Sequence, residues 1–131
     1  MSTDWHAAFP SPTSTPASIT PDELAVFIRE KELMRDYIVV DVRRTDFEGA
    51  FIAGALNLPA HSFYPTLSTV VTLLSPVPLV VFHCNSCKPG GWYQDALDVK
   101  RVKTSRAVVL EGGIKAWIEA FGDDEKLTKK L

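Results

Sequence analysis

The sequence predicts a single α/β domain: a parallel β-sheet of about five strands with helices on both faces. Three runs of apolar, mostly β-branched residues have the length of buried strands, at 37–40, 79–82 and 107–110. Segments with apolar residues at helical spacing separate these runs. Because strands that are apolar on both faces and alternate with helices are typical of parallel sheets covered on both sides, this order predicts the α/β class.

The predicted domain spans residues 19–121, and a tail flanks it at each end. Residues 1–18 are rich in Ser, Thr and Pro and hold too few apolar side chains to offset the entropy lost on ordering. They are therefore expected to form a flexible tail, although Trp5 or Phe9 could dock on the domain. Residues 122–131 are charged and are expected to fray.

The first helix is predicted to begin at Thr20-Pro21-Asp22-Glu23, a capping box with proline at the first helical position. A short strand is expected at Ala55 to Leu58. Further helices are expected at 64–74, 92–103 and 114–121, where apolar residues recur at helical spacing.

Composition excludes several classes of protein. The 131 residues carry a net charge of -2, so no basic field for nucleic acid exists. No apolar run approaches the roughly 20 residues of a membrane helix, and the start of the chain does not resemble a signal peptide. The interpretation is a cytoplasmic protein, with the nucleus as an alternative. Two cysteines and three scattered histidines predict neither a structural zinc site nor another cofactor.

Three segments are predicted to meet at one edge of the sheet. Ligands of open parallel sheets bind beyond the carboxyl ends of the strands. The segments 41–43, 83–91 and 111–113 each follow a predicted buried strand. Their convergence predicts one functional site.

Cys84 is the best candidate nucleophile in this region. It ends a buried strand and precedes a glycine-containing segment that opens a helix. Unpaired backbone amides and the dipole at a helix start favour negative charge, which lowers a cysteine pKa from about 8.5 into a range of roughly 3.5 to 7.5. The same amides can cradle an oxyanion such as phosphate, arsenate or sulfate. An inert buried cysteine is the structural alternative.

Four blocks of the chain together resemble, in order, the signatures of the rhodanese-like superfamily. The His83-Cys84 pair is similar to the phosphatase-type branch, which contains Cdc25, small fungal arsenate reductases and Cdc25-like phosphatases. The resemblance covers about residues 19–121. The blocks are 41–43, 52–59, 80–84 and 110–117.

The resemblance implies a role for each site residue. Cys84 would be the nucleophile, and Asp41 would support the site from the end of the central strand. An anion-binding loop would act through backbone amides. The loop residues would be Asn85, Ser86, Cys87, Lys88, Gly90 and Gly91.

Two further residues are accessory candidates. His83 either tunes Cys84 or fills the core beneath the loop. Arg43 lies near the proposed mouth of the site, although an ion pair with Asp46 or Glu48 on the surface is the favoured interpretation.

The resemblance also implies partners. A phosphorylated protein or a small oxyanion would be the substrate. Glutathione or a glutaredoxin would be expected for the arsenate reductase type.

The sequence departs from the family pattern at one position. The phosphatase branch carries an arginine after Cys and five further residues, where this chain has Gly90, and the next arginine is Arg101. Lys88 could restore charge but not the two-pronged grip of a guanidinium. Phosphatase activity is therefore expected to be weak or absent.

Two alternatives to an enzyme of this type remain open. Cys84 and Cys87 form a Cys-x-x-Cys motif that could serve thiol redox chemistry or sulfur transfer. The domain could also bind an anion or a protein partner without catalysis.

Overall fold

The computed structural model describes residues 9–44, 49–83 and 88–131. Within these ranges the chain forms seven strands and five helices. The strands are β1 (Ala17–Ile19), β2 (Tyr37–Asp41), β3 (Ala50–Ile52), β4 (Leu56–Asn57), β5 (Leu79–His83), β6 (Arg106–Leu110) and β7 (Thr128–Lys130). The helices are α1 (Pro21–Glu30), α2 (Ala60–Phe63), α3 (Leu67–Leu74), α4 (Lys88–Val99) and α5 (Gly113–Phe121).

The five-stranded sheet has the order β1-β6-β5-β2-β4, and its strands pair in parallel. Alternate residues of β2 face opposite layers of the core. Ile38 and Val40 pack in a layer with α2, α3 and α4, whereas Val39 packs in the layer with α1 and α5. The predicted fold class, a parallel sheet of about five strands with helices on both faces, is confirmed.

The start of α1 has the predicted capping box. Thr20 Oγ1 accepts a hydrogen bond from the Glu23 amide at 3.1 Å, and Glu23 Oε1 accepts one from the Thr20 amide at 2.9 Å. The helix therefore begins with two of its amide donors satisfied.

The helix predicted at 64–74 corresponds to α3, and the short helix α2 precedes it. Pro65 lies between them, and proline has no N–H group with which to continue the hydrogen bonding of α2. The second helix then begins at Leu67.

The predicted bounds of α4 are wrong at both ends. The helix begins at Lys88 rather than Trp92, because Pro89 is compatible with the first helical turn. It ends at Val99 rather than Lys103. Arg101 adopts φ 57°, and the Val102 amide donates to Leu97 O while the Arg101 amide donates to Asp98 O, which is a Schellman ending.

The described part of the expected N-terminal tail lies against the domain. Residues 17–19 form β1 and pair with β6 at the edge of the sheet. Residues 9–16, called the strap below, lie along α4. The structure differs from the expected flexible tail at these residues. The strap has aromatic and hydrogen-bonding partners that composition alone does not reveal. Residues 1–8 lie outside the described residues.

The expected C-terminal tail is also part of the fold. Residues 128–130 form β7 and pair antiparallel with β3, so the prediction that 122–131 frays is wrong. Leu127 has no exposed surface. The Trp117 indole donates to Thr128 Oγ1 at 2.9 Å, and Thr128 Oγ1 donates to Phe121 O at 2.8 Å. These buried contacts outweigh the charge of the segment.

In the parts of the chain described by the structure, no helix has both the length and the apolar character needed to cross a membrane.

The buried end of the C-terminal segment can be tested by truncating its side chains. Leu127→Ala is expected to lower the free energy of unfolding by about 2–5 kcal/mol, because it opens a cavity in the core. Leu131 is 68% exposed, so Leu131→Ala is the matched control and should change it by less than about 0.5 kcal/mol. Denaturant titration measures both values, and equal effects of the two substitutions would contradict the structure.

Candidate functional site

The site lies at the carboxyl edge of the parallel sheet. The two central strands β2 and β5 are in register to their last residues, where Asp41 pairs with His83. The third strand, β6, ends beside them, and Glu111 follows it. The predicted convergence of the strand ends at one edge is therefore present.

Asp41 and Arg43 form a largely buried ion pair at this edge. Arg43 Nη2 donates to Asp41 Oδ2 at 2.7 Å, Arg43 Nε lies 3.1 Å from both carboxylate oxygens, and the Arg43 amide donates to Oδ1 at 3.0 Å. The Arg43 side chain is 10% exposed. The favoured prediction, a surface position for Arg43, is wrong because the buried carboxylate draws the guanidinium inward. Asp46 and Glu48 lie outside the described residues.

His83 lies on the other side of the same carboxylate. Its side chain has no exposed surface, and Nε2 is 3.4 Å from Asp41 Oδ2. Neither ring nitrogen makes a hydrogen bond to the described residues. The imidazole is therefore packed in the core at the end of β5.

The surroundings of Asp41 set its protonation state. Burial on its own would raise the pKa of the carboxyl group. The His83 and Arg43 side chains and the Arg43 amide outweigh burial and hold the pKa at about 2, below the usual 3.8. The carboxylate is thus ionised at neutral pH and has no proton to donate. The role that the family resemblance implies for Asp41, support of the site, stays a prediction.

Neighbouring backbone groups fix the ion pair in place. Arg43 Nη2 also donates to Ala50 O at 2.8 Å, which ties β3 to the site. Asn57 Nδ2 donates to Asp41 O and Arg43 O, both at 2.9 Å. Asn57 is not among the site residues predicted from the sequence. Its position in the second block of the family resemblance was the available signal.

The predicted nucleophile lies outside the described residues, together with Asn85, Ser86 and Cys87. The structure does fix what flanks Cys84 and these three residues. His83 ends β5, and Lys88 begins α4. Lys88 Nζ is 3.5 Å from Ser11 Oγ of the strap.

Gly90 and Gly91 lie in the first turns of α4, and both are buried. A Cβ atom at Gly90 would be 3.4 Å from the Phe82 ring, so this position faces the core. A Cβ at Gly91 would be 2.7 Å from Pro12 Cβ. Close packing against Pro12 is therefore the observed reason for Gly91. At position 90 a Cβ would make ordinary van der Waals contact, and a side chain there would point toward Phe82.

Among the described residues, no group of three or more His, Cys, Asp or Glu side chains could hold a metal ion.

The Asp41–Arg43 pair is expected to make the free energy of unfolding depend on pH in the acid range. Because the folded pKa is depressed, the carboxylate adds stability above the unfolded pKa, and this stability is lost as pH falls from about 4 toward about 2. Asp41→Asn is expected to lower the free energy of unfolding at pH 7 by about 3–5 kcal/mol, since it leaves Arg43 without its charge partner.

The measurement is denaturant unfolding of both proteins between pH 7 and pH 2. Asp41→Asn should lose less stability than the wild type over the acid range, and Asp123→Asn, at an exposed position, is the control. Parallel acid limbs for wild type and Asp41→Asn would contradict this assignment.

Comparisons with known proteins agree with this architecture. Residues 20–120 match the family model of the rhodanese-like domain. The structure of Saccharomyces cerevisiae Ygr203w, described as a homolog of single-domain rhodanese and the Cdc25 phosphatase catalytic domain, is similar with a TM-score of 0.73. The sequence identity is 25%, and 88% of each chain is covered.

Two further solved structures share the fold. The As-Sb reductase of Leishmania major has a TM-score of 0.69 and 22% identity, covering 84% of this chain and 81% of that chain. The sulfurtransferase RDL2 of Saccharomyces cerevisiae has a TM-score of 0.56 and 17% identity, covering 86% and 96%. No curated protein sequence matches the chain significantly. Since the family model spans most of its length, the chain belongs to the rhodanese-like domain family.

Proposed function

We propose that Cys84 is a thiolate nucleophile directed at an oxyanion, in a site of the phosphatase or arsenate reductase type whose turnover is reduced. One observation carries the proposal. β5 ends at His83, which lies 3.4 Å from Asp41 of the ion pair, and the twelve-residue helix α4 begins at Lys88. Cys84 is the first residue of that connection.

The electrostatics of this connection favour negative charge. The first amides of a helix have no intrahelical acceptor, and the helix dipole adds about half a positive charge at this end. A thiolate gains from this field, and so does an anion bound next to it. Asp41 adds no net repulsion, because Arg43 neutralises it within 2.7 Å.

The reaction follows from the thiolate. Its sulfur would attack phosphorus, form an S–P bond and break the bond from phosphorus to the leaving oxygen; water would then release phosphate and restore the thiolate. With arsenate, the sulfur would displace water to form a thiol–arsenate adduct. A thiol reductant such as glutathione or a glutaredoxin would then supply the two electrons. The substrate classes are a phosphorylated protein or a small oxyanion.

The similar structures support this choice of substrate class. One description of Ygr203w calls it a protein tyrosine phosphatase of the rhodanese family, and the Leishmania major protein is an As-Sb reductase. These descriptions apply to those proteins. They support oxyanion chemistry for this chain because the fold is shared.

The missing arginine is the reason to propose reduced turnover. Position 90 is glycine and faces Phe82, and Arg43 is held by Asp41 and Ala50. Losing one preorganised donor typically costs about 100- to 1000-fold in rate, and losing an arginine that grips a phosphoryl group about 1000- to 100000-fold.

The same observation favours a second candidate, which is anion or protein binding without turnover. Thiol redox chemistry through Cys84 and Cys87 is a third, and it differs from the other two in requiring both sulfur atoms.

The test compares three proteins: the wild type, Cys84→Ser and Cys87→Ser. Phosphate and arsenate are expected to stabilise the wild type by about 1 kcal/mol at several times Kd. Slow hydrolysis of a small aryl phosphate, or arsenate reduction with glutathione, is expected to disappear in Cys84→Ser. Cys87→Ser should keep it, since serine retains the backbone amide.

Each other outcome has a defined meaning. Anion stabilisation without turnover in the wild type selects the binding candidate. Activity lost equally in Cys84→Ser and Cys87→Ser selects the redox pair. If the wild type shows no stabilisation by anions and no turnover that depends on Cys84, the proposal is overturned.

A further inference from the structure

The strap is anchored to α4 at three levels. At its start, Phe9 stacks on Tyr64 with ring centroids 5.1 Å apart and meets the edge of Trp92 at 6.0 Å. The Trp92 indole Nε1 donates to Pro10 O at 2.8 Å. At the residue before Trp92, Pro12 lies over Gly91, where any larger residue would collide with it.

The third anchor is the carboxylate of Asp95. It accepts three hydrogen bonds from two adjacent strap residues: from the Thr13 amide at 2.8 Å, from Thr13 Oγ1 at 2.9 Å and from the Ser14 amide at 2.8 Å. Ser14 Oγ also donates to Asp98 Oδ2 at 3.3 Å. This part of the contact between the strap and α4 therefore depends on hydrogen-bond donors in the strap that face carboxylates on the helix.

The protonation of Asp95 reflects this arrangement. Its slight burial alone would raise the pKa, but hydrogen bonds from Ser14 and Thr13 outweigh burial and lower the pKa. Asp95 is thus a carboxylate at neutral pH, and it tolerates donors at Thr13 but no second negative charge.

We propose that Thr13 is a phosphorylation site and that a phosphoryl group on Oγ1 releases the strap from α4. The Thr13 side chain is exposed and lies in a Ser/Thr/Pro-rich segment. In the transfer, Oγ1 bonds to the γ-phosphorus of a nucleoside triphosphate, the bridging P–O bond breaks, and the hydroxyl proton and nucleoside diphosphate leave. A protein kinase supplies the catalysis.

The physical effect of the modification follows from its charge. A phosphothreonine carries roughly -1.5 to -2 charges at neutral pH and has no Oγ1 proton to donate. The donor that now lies 2.9 Å from Asp95 becomes a phosphate anion facing that carboxylate, and the neighbouring Ser14 lies against a second carboxylate, Asp98. Because the modified residue fits only the open strap, the population shifts to that state.

Opening of the strap would uncover the face of α4 that the strap now covers. Phe9 would leave Tyr64 and Trp92, and Ser11 would leave Lys88. This consequence does not rest on the proposed activity, because it concerns the docking of the strap alone.

The test uses full-length ¹⁵N-labelled chains that carry phosphothreonine at residue 13 or, as the matched control, at residue 15. Thr15 is also exposed, and no described hydrogen bond joins it to Asp95 or Asp98. The Trp92 indole N–H should exchange with solvent about tenfold faster or more when Thr13 is phosphorylated. It should be unchanged when Thr15 is phosphorylated. Adding Asp95→Lys to the chain phosphorylated at Thr13 should restore slow exchange.

The Val81 amide in β5 reports global unfolding in the same spectra. Faster exchange at Trp92 without faster exchange at Val81 supports strap opening. Equal changes at both sites, equal effects of the two phosphothreonines, or no rescue by Asp95→Lys would overturn it. Mass spectrometry of the protein from its own cells should find phosphate on the Thr13 peptide, and its absence with phosphatases inhibited would contradict the modification.

Discussion

The ion pair between Asp41 and Arg43 connects the elements on which the site depends. Asp41 ends β2 and faces His83 at the end of β5. Arg43 reaches Ala50 in β3, and Asn57 in β4 holds the backbone oxygens of both ion-pair residues. Since β3 also pairs with β7, the C-terminal strand supports the same edge of the sheet. The two residues of this ion pair thus connect β2, β3, β4 and β5 at this edge of the sheet.

This constraint shapes what the site can do. Asp41 is ionised at neutral pH and paired with Arg43, so it has no proton to donate. Arg43 is committed to that carboxylate, and Gly90 faces the core. Under the proposed function, the positive field for an anion would come from the start of α4 and from Lys88. Such an anion would be held more weakly than by an arginine.

The buried strands could be predicted from sequence because each is a continuous apolar run, and the capping box located α1 directly. The bounds of α4 could not, since Pro89 and Gly90-Gly91 resemble a loop until Phe82 and the strap are in place. The strap and β7 were missed for a related reason. Their polar sequences pack against a few specific partners that lie far away in the chain, Asp95 for the strap and β3 for β7. The predicted surface position of Arg43 was wrong because the burial of Asp41, which holds Arg43, results from assembly of the sheet.

The proposed function depends on activation of Cys84 by its place between β5 and the start of α4. The most direct measurement is the rate of Cys84 alkylation by iodoacetamide from pH 4 to pH 10, in Cys87→Ser so that a single thiol reacts. The account predicts a titration midpoint within roughly 3.5 to 7.5, as for cysteines at helix starts. A midpoint at or above the ordinary value of about 8.5 would contradict it.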